Sequence, residues 1–373
     1  MNKRVRPART LTSGRIHVIL MAMKRTFSRI LPLVLAVLLS GCAGTPAAPA
    51  SQTDVPVSAV PTEPQTATVF AMDTVMDLTV YGDATLLGEA ERTIASLEAA
   101  FSVTDPESEI AAVNRDGTAA PGDDTRRLLT RALALCERTG GALDVTVYPV
   151  VRAWGFTTGD YRVPDPDELA ALLAKVDYTA VRIDGDRVSV GEGMQLDLGS
   201  VAKGYTGDRV TDLFRNAGVT SAILNLGGNV QTLGAKPDGK PWRVAVNDPL
   251  GNGYAGVVEV ADKAVITSGG YERYFVEGGT VYRHIIDPAD GYPVDNGLLS
   301  VTIIGDEGVL CDAFSTALFV MGADRAAEFW RTSDDFEAIL LTEDGEILVT
   351  EGIAADFEAL GDWSAAPLTV LHR

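Results

Sequence analysis

Histidine is scarce in this 373-residue chain, which has only His17, His284 and His372. His17 lies in a basic leader segment and His372 is next to the C-terminus, so only His284 can lie inside a folded body. Cysteine is equally scarce, at three residues. A zinc site built from several histidines or from cysteine pairs is therefore excluded, and any bound metal is expected to be a hard cation held by oxygen atoms.

Basic residues are also in short supply, at 31 Lys and Arg against 51 Asp and Glu. Eight of the basic residues fall within residues 1–41, which contain no acid, so the rest of the chain carries a formal charge of −28. A folded domain with this negative charge repels the phosphate backbone of a nucleic acid, which argues against nucleic acid as a partner. A content of 46% hydrophobic and 22% charged residues indicates a globular chain with core enough for one large domain or two smaller ones.

Only one long apolar run occurs, so a multi-pass membrane protein is excluded. It extends from Ile30 to Leu39, follows Lys24, Arg25 and Arg29, and ends in Leu39-Ser40-Gly41-Cys42. This pattern is typical of a signal peptide over residues 1–41, of which 1–22 are interpreted as an over-extended start before Met23. The last four residues resemble a bacterial lipobox, which implies a lipid on Cys42 and attachment to the extracytoplasmic face of the cell membrane. A plain cleaved signal with an incidental cysteine is the less favoured alternative.

The segment after the lipobox is rich in Ala, Pro, Thr and Ser, which predicts a disordered tether over residues 42–67 and a folded domain over 68–373. Within that domain, Cys136 falls on an apolar helical stripe with Leu128, Ala132 and Leu135, which indicates a core position. Nothing in the sequence places Cys136 near Cys311, so a disulfide between them is the less favoured alternative.

Hydrophobic periodicity predicts an α+β fold, because strands come in runs with a few long helices between them. Predicted helices cover 85–101, 108–114, 124–139, 166–175, a segment closed by Gly218, 312–321 and 326–330. Residues 69–81 are predicted to form a strand pair or one bent strand. Further predicted strands cover a hairpin over 181–190, then 195–198, 223–226, 242–247, 256–260, 264–267, 273–276, 281–286, 299–304 and a hairpin over 337–349.

Four stretches combine glycine with polar residues, and each has a functional and a structural interpretation. Asp197–Tyr205 (DLGSVAKGY) breaks a strand and starts a helix, where free backbone N–H groups beside Lys203 favour phosphate, although a tight turn fits equally well. Residues 225–229 (NLGGN) and 267–273 (TSGGYER) allow close approach of a ligand, or form only a bulge and a hairpin loop.

The fourth stretch runs from His284 to Pro293 and leads to Asp312 and Thr316. Residues four apart share one face of a helix, so this carboxylate and this hydroxyl can hold Mg²⁺ together. On residue type alone, the favoured interpretation is that Asp312 caps its helix.

Taken together, these blocks closely resemble the ApbE family, the FAD:protein FMN transferases. The similarity extends through MDTVM, SEIAAVN, GGALDVTVYPVVRAWGF, DLGSVAKGY, NLGGN, TSGGYERYF, HIIDPADGYP and DAFSTALFVMG, from about Phe70 to Met321. The resemblance implies a T-fold-like α+β domain that cleaves FAD with Mg²⁺, attaches FMN through a phosphoester to a Thr or Ser of an exported redox subunit, and releases AMP.

The resemblance also implies which residues form the site. Asp312, Thr316 and the backbone carbonyl of Ala202 match metal ligands of the family. His284 is the candidate base for the acceptor hydroxyl, on the expectation that it titrates near neutrality, with positioning of a phosphate as a nearly even alternative. Lys203 is a candidate catalytic cation. The residues that fall on flavin-binding blocks are Thr74, Met76, Glu109, Asn114, Asp197, Lys203, Gly227, Gly228, Ser268, Tyr271 and His284.

Three positions depart from the family pattern: Asp73 replaces a usual Gly, Leu143 a common aromatic residue, and Cys311 a usual Ala. None removes a metal ligand or the histidine, so activity is expected. Two other functions use the same residues. The protein could be an FAD pyrophosphatase with water as acceptor, or a flavin-binding lipoprotein without turnover.

Overall fold

The computed structural model describes residues 63–251 and 253–373. The helices within these residues are α1 (Thr85–Phe101), α2 (Glu109–Asp116), α3 (Asp123–Arg138), α4 (Tyr148–Ala153), α5 (Pro166–Leu173), α6 (Ala202–Asn216), α7 (Gly308–Met321) and α8 (Ala323–Arg331), with 3-10 turns at Tyr178–Ala180 and Gly361–Ala365. In this part of the chain, no helix is both long and apolar enough to cross a bilayer.

The strands are short and numerous. They are β1 (Gln65–Ala71), β2 (Thr74–Val80), β3 (Thr118–Ala119), β4 (Arg182–Asp184), β5 (Arg187–Ser189), β6 (Ala222–Leu226), β7 (Asn229–Leu233), β8 (Trp242–Asn247), β9 (Tyr254–Val260), β10 (Ala264–Gly269), β11 (Tyr274–Glu277), β12 (Thr280–Arg283), β13 (Leu298–Gly305), β14 (Phe336–Thr342), β15 (Ile347–Thr350), β16 (Phe357–Ala359) and β17 (Leu368–Leu371).

A nine-stranded sheet with the order β1-β2-β6-β7-β10-β13-β14-β15-β17 organises the described chain. All its pairs are antiparallel except β15 with β17. Helices α1 and α6 cover the β1 end through one apolar cluster, and α7 packs on β10 and β13 through another. The three-stranded sheet β16-β9-β8 packs on the other face through a third cluster. The predicted α+β class is confirmed.

Helix α7 is the centre of this arrangement. Twelve of its fourteen residues are buried, as expected for a helix that is apolar on nearly all sides. Its few polar side chains therefore need partners or a function, and they are Asp312, Ser315 and Thr316.

Helices α6 and α7 approach each other closely at two glycines. A Cβ added at Gly204 would lie 2.2 Å from the carbonyl oxygen of Gly308 and 2.7 Å from Cβ of Asp312. Asp208 of α6 accepts hydrogen bonds from the backbone N–H groups of Gly308 (2.6 Å) and Val309 (2.9 Å). It thereby caps the N-terminus of α7 and fixes one helix against the other.

Two predicted elements are wrong. The late helix begins at Gly308, one turn before Asp312, because the side chain of Asp208 supplies the cap from another helix. Asp312 is therefore not a helix cap. The predicted strand 195–198 is an irregular segment with a single bridge between Gln195 and Val147. The side-chain amide of Asn114 donates a hydrogen bond to the carbonyl of Leu196 and accepts one from its backbone N–H. Neither backbone group of Leu196 is then available for pairing with a strand.

Most helix predictions are confirmed within a few residues, and Leu87, Ala90, Ile94, Leu97 and Phe101 of α1 are buried. The first predicted strand, 69–81, is a hairpin whose turn has positive φ at Met72 (50°) and Asp73 (58°). Cys136 and Cys311 are both buried free thiols. The leader, Cys42 and most of the predicted tether lie outside the described residues.

Candidate functional site

A cleft of about 390 Å³ opens beside the N-terminus of α6 and one face of α7. Its walls come from the β1–β2 turn, the end of α1, the segment 142–157, the start of α6, the end of β10, and residues 284–288. A cleft of this volume is in the usual range for a small-molecule site. Seven of the predicted site residues line it: Asp197, Ala202, Lys203, Ser268, His284, Asp312 and Thr316.

The predicted metal ligands meet at one side of this cleft. Asp312 is 4% exposed, and its Oδ2 accepts a hydrogen bond from the backbone N–H of Gly204 at 2.8 Å, so Oδ1 is available to a ligand. Thr316 lies one turn further along α7, with its Oγ1 3.2 Å from Oγ of Ser268. The carbonyl of Ala202, in the first turn of α6, accepts a hydrogen bond from Oγ1 of Thr206 at 2.7 Å, and a cation at this oxygen would replace that bond.

The donor set fits a hard cation because all three atoms are oxygens. In the described residues no group of three His, Cys, Asp or Glu side chains could hold a metal. A site here would thus depend on one carboxylate, one hydroxyl and one carbonyl, which leaves coordination positions for water or a substrate oxygen.

His284 is held in the cleft by the backbone of Arg273. The carbonyl of Arg273 accepts hydrogen bonds from the backbone N–H of His284 at 3.1 Å and lies 3.2 Å from its Nδ1. A carbonyl can only accept, so the contact assigns the proton to Nδ1. The other ring nitrogen, Nε2, is then free to take a proton. Phe156 packs edge-on against the imidazole, with ring centroids 6.4 Å apart.

The expectation that His284 titrates near neutrality is wrong. Burial lowers the pKa of His284 to about 4, and the positive charges of Arg273 and Lys203 act in the same direction. The imidazole is therefore neutral near pH 7, which is the form that a general base needs.

Acidic side chains outnumber basic ones in the cleft lining, where Lys203 and Arg273 are the basic residues. The acidic ones are Asp73, Glu98, Asp144, Asp197, Glu272 and Asp312. Loss of water contact raises the pKa of Asp144, Asp197 and Glu272. A diphosphate in such surroundings would need additional positive charge, which is the role that a divalent cation can fill.

The other predicted flavin residues lie outside the cleft lining, so their part in binding stays a prediction. Glu109 accepts hydrogen bonds from the backbone of Gly122 and the hydroxyl of Thr125, and Asn114 holds Leu196. Met76 is fully buried in the core under α1. Thr74 packs against Gly227, next to Gly228, and the ring of Tyr271 packs against Gly269.

Several cleft residues were not singled out from the sequence. Glu98 accepts the backbone N–H of Met72 and supports the β1–β2 turn. Phe156 and Asp144 lie in GGALDVTVYPVVRAWGF, and Glu272 lies in TSGGYERYF, two of the segments that resemble the family. Their position in these segments was the sequence signal that could have identified them. Thr157 has a buried hydroxyl without a partner in the described residues, which makes it a further candidate for contact with a ligand.

The fold and the cleft together define an α+β protein in which carboxylate, hydroxyl and carbonyl oxygens line the same cleft as a neutral histidine. The sequence profile of the ApbE family matches residues 72–340. This chain belongs to the ApbE family.

Relatives with an assigned activity cover most of the chain. The FAD:protein FMN transferase of Treponema pallidum is 35% identical over 69% of this chain and 76% of its own length. The enzyme of the same name from Klebsiella pneumoniae is 33% identical over 72% of this chain and 85% of its own length.

Solved structures agree with the described fold. The ApbE protein of Thermotoga maritima superposes with a TM-score of 0.74 at 32% identity, over 78% of this chain and 98% of that one. The apo form of the Pseudomonas stutzeri flavinyl transferase ApbE superposes with a TM-score of 0.69 at 29% identity, over 75% and 92% of the two chains.

Proposed function

We propose that this protein is an FAD:protein FMN transferase that cleaves FAD at its diphosphate and attaches FMN to a Thr or Ser hydroxyl of another protein. The observation that carries the proposal is the joint placement of Asp312, Thr316, Lys203 and His284 around one cleft in a member of this family. The names of the relatives supply the substrate pair.

In the proposed reaction, one bond to the phosphorus of the FMN half forms and one bond to the same atom breaks. The acceptor oxygen bonds to the phosphorus of the FMN half, and the bond from that phosphorus to the bridging oxygen breaks. The hydroxyl proton passes to Nε2 of His284, and the bridging oxygen leaves as part of AMP. Such transfers depend mostly on alignment and charge neutralisation.

The cleft residues divide that work. Lys203 in the first turn of α6 and Arg273, which precedes β11, supply positive charge for the phosphates. Asp312, Thr316 and the carbonyl of Ala202 are the residues that would hold Mg²⁺. When bound, Mg²⁺ would offset the charge that builds up on the leaving phosphate. Arg273 also orients His284 through its carbonyl, so one residue supports both the charge and the base.

We further propose that Cys42 carries a lipid and that the transferase domain acts at the extracytoplasmic face of the bacterial membrane on an exported redox subunit. The support is the signal and lipobox pattern of residues 23–42. Cys42→Ser is expected to move the protein from the membrane fraction to the aqueous fraction. Unchanged membrane retention of that variant would contradict the anchor.

The transferase proposal is tested by co-expressing the protein with candidate exported redox subunits and examining denatured acceptors for covalent flavin fluorescence. A fluorescent acceptor band that requires the enzyme supports transfer. FAD turned over to FMN and AMP with no such band would instead indicate a pyrophosphatase with water as acceptor. Bound FAD that stays intact with Mg²⁺ would indicate a flavin-binding protein without turnover.

A further inference from the structure

Thr206 of α6 supplies a hydroxyl that competes for one of the proposed metal ligands. Its Oγ1 donates a hydrogen bond to the carbonyl of Ala202, one turn earlier in the same helix, at 2.7 Å. The α-helical pattern directs the backbone N–H of Thr206 to the same carbonyl. A carbonyl oxygen has two lone pairs, so both are then used. Because the backbone bond is part of the helix, the hydroxyl is the partner that a cation displaces.

The side chain of Thr206 is shut off from water. The residue is 0% exposed, so its hydroxyl cannot exchange a lost protein partner for a water molecule. A buried hydroxyl left without any acceptor costs more free energy than a hydrogen bond contributes. Binding of a cation to the Ala202 carbonyl therefore requires a second acceptor for Thr206.

That second acceptor is the thioether of Met72. Its Sδ lies 3.9 Å from Oγ1 of Thr206, within hydrogen-bonding distance for sulfur. The hydroxyl has one proton, and the carbonyl is the stronger of its two acceptors because a thioether accepts only weakly. Thr206 thus has a favoured partner in the absence of a cation and a weaker one that remains when a cation takes the carbonyl.

Met72 is held firmly at this position. It is the first residue of the β1–β2 turn, has a φ of 50° and lines the cleft. Its backbone N–H donates to the carboxylate of Glu98, and its side chain packs against two apolar clusters. Residues with positive φ other than glycine are strained, and such strain persists at functional sites where the surroundings fix it. The sulfur therefore stays within reach of Thr206.

We propose that Thr206 is a positioning residue for the cation site, whose hydroxyl holds the Ala202 carbonyl until Mg²⁺ binds and then donates to the sulfur of Met72. The inference rests on the proposed function, because it takes Ala202 as a metal ligand. The exchange lowers the affinity for Mg²⁺, since a strong hydrogen bond is replaced by a weak one. It also gives α6 a contact with the β1–β2 turn that depends on the ion.

The first test measures the Mg²⁺ dissociation constant of the protein without FAD by isothermal titration calorimetry. Thr206→Val removes the hydroxyl and keeps the shape of the side chain, so the competition for the Ala202 carbonyl disappears. One net hydrogen bond corresponds to about a fivefold change in a binding constant, and Thr206→Val should bind Mg²⁺ more tightly by about that factor. Thr206→Ser keeps the hydroxyl and should leave the affinity unchanged.

Met72→Leu should change the affinity in the opposite direction. Leucine is close to methionine in volume but has no acceptor, so Mg²⁺ binding leaves the Thr206 hydroxyl without a partner and should weaken about fivefold. In M72L/T206V there is no hydroxyl to satisfy, and the affinity should equal that of Thr206→Val. An effect of Met72 on packing alone would weaken binding with either residue at position 206.

Thr130→Val is the matched control for loss of a helical hydroxyl. Oγ1 of Thr130 also donates to the carbonyl one turn earlier, that of Arg126, at 2.7 Å, but in α3 and outside the cleft lining. Its Mg²⁺ affinity should equal that of the unsubstituted protein. The second readout is ¹³C-methyl methionine NMR, in which the Met72 resonance should shift with Mg²⁺ in the unsubstituted protein and much less in Thr206→Val.

The outcomes separate this inference from the proposed function. Unchanged or weaker Mg²⁺ binding by Thr206→Val, or equal weakening by Met72→Leu with either residue at position 206, would overturn the inference and leave the cation site standing. Asp312→Ala should not bind Mg²⁺. If it binds Mg²⁺ as tightly as the unsubstituted protein does, or if neither binds it, the cation site of the proposed function is wrong, and the inference with it.

Discussion

Gly204→Ala tests whether the close crossing of α6 and α7 holds the cation site together. The added Cβ would lie 2.2 Å from the carbonyl oxygen of Gly308 and 2.7 Å from Cβ of Asp312. Both obstacles are backbone or backbone-proximal atoms of a buried helix, so neither can rotate away. The two helices must separate, and Asp312 then moves away from the carbonyl of Ala202.

The expected loss of stability follows from two opposing effects. Replacing glycine by alanine within a helix, here in the first turn of α6, stabilises the helix by up to about 1 kcal/mol. Overpacking in a rigid interior costs about 3 kcal/mol at the upper end of its usual range. The free energy of unfolding of Gly204→Ala should therefore be about 2 kcal/mol lower than that of the unsubstituted protein. FAD turnover should fall more steeply than this loss of folded protein explains.

Gly88→Ala is the matched control, because Gly88 is also inside a helix but has open space. A Cβ there would meet only the end of Arg92, at an ordinary 3.6 Å. Denaturant unfolding should show Gly88→Ala to be more stable by about 1 kcal/mol, with FAD turnover unchanged. If Gly204→Ala were as stable and as active as Gly88→Ala, the argument from helix proximity would be refuted.

Three further variants test single elements of the site and its frame. Asp73→Gly should raise the free energy of unfolding by up to about 1 kcal/mol in denaturant titrations, because glycine adopts the positive φ of this turn without strain; a lower value would contradict this. Burial raises the pKa of Asp208 from 3.8 to about 7, so the folded state binds the extra proton between these pH values and this group's contribution to stability falls as pH rises from about 4 to 7. Asp208→Asn should remove that slope from unfolding free energies measured across the window, and an identical slope in both proteins would show that another group causes it. His284→Ala should slow FMN transfer far more than it weakens FAD binding, as measured by acceptor flavinylation and by FAD titration, whereas equal losses would indicate a structural role.

Local patterns predicted most of the frame correctly. The apolar periodicity of α1 and the stripe of Leu128, Ala132, Leu135 and Cys136 in α3 are signals that act within a few residues. These signals depend on backbone geometry and local burial, so they can be recognised without knowing the tertiary fold.

The errors arose where a distant residue decided the local structure. The side chain of Asp208 caps a helix that begins one hundred residues later, and Asn114 takes the backbone bonds of Leu196 from 82 residues away. No pattern within either segment reveals these partners. The pKa of His284 is a similar case, because it depends on burial and on the charges of Arg273 and Lys203, which only the fold brings together.

The candidate site was predictable in part for a related reason. Asp312 and Thr316 share a helix face by spacing alone, whereas their place in the same cleft as His284 depends on the whole sheet. The resemblance to the ApbE family predicted, from the sequence, that Asp312, Thr316 and His284 belong to one site. Glu98 and Thr157 could be identified only from the assembled cleft, because neither lies in one of the sequence blocks that resemble the family.

The most direct test of the account is metal-dependent flavinylation of a redox-subunit acceptor by the unsubstituted protein and by Asp312→Ala. The account predicts covalent flavin fluorescence on the acceptor with Mg²⁺ and the unsubstituted enzyme, and none with a chelator or with Asp312→Ala, although that variant is folded. Equal acceptor fluorescence in the presence of chelator, or from Asp312→Ala, would contradict the proposal that these oxygen atoms hold the catalytic cation.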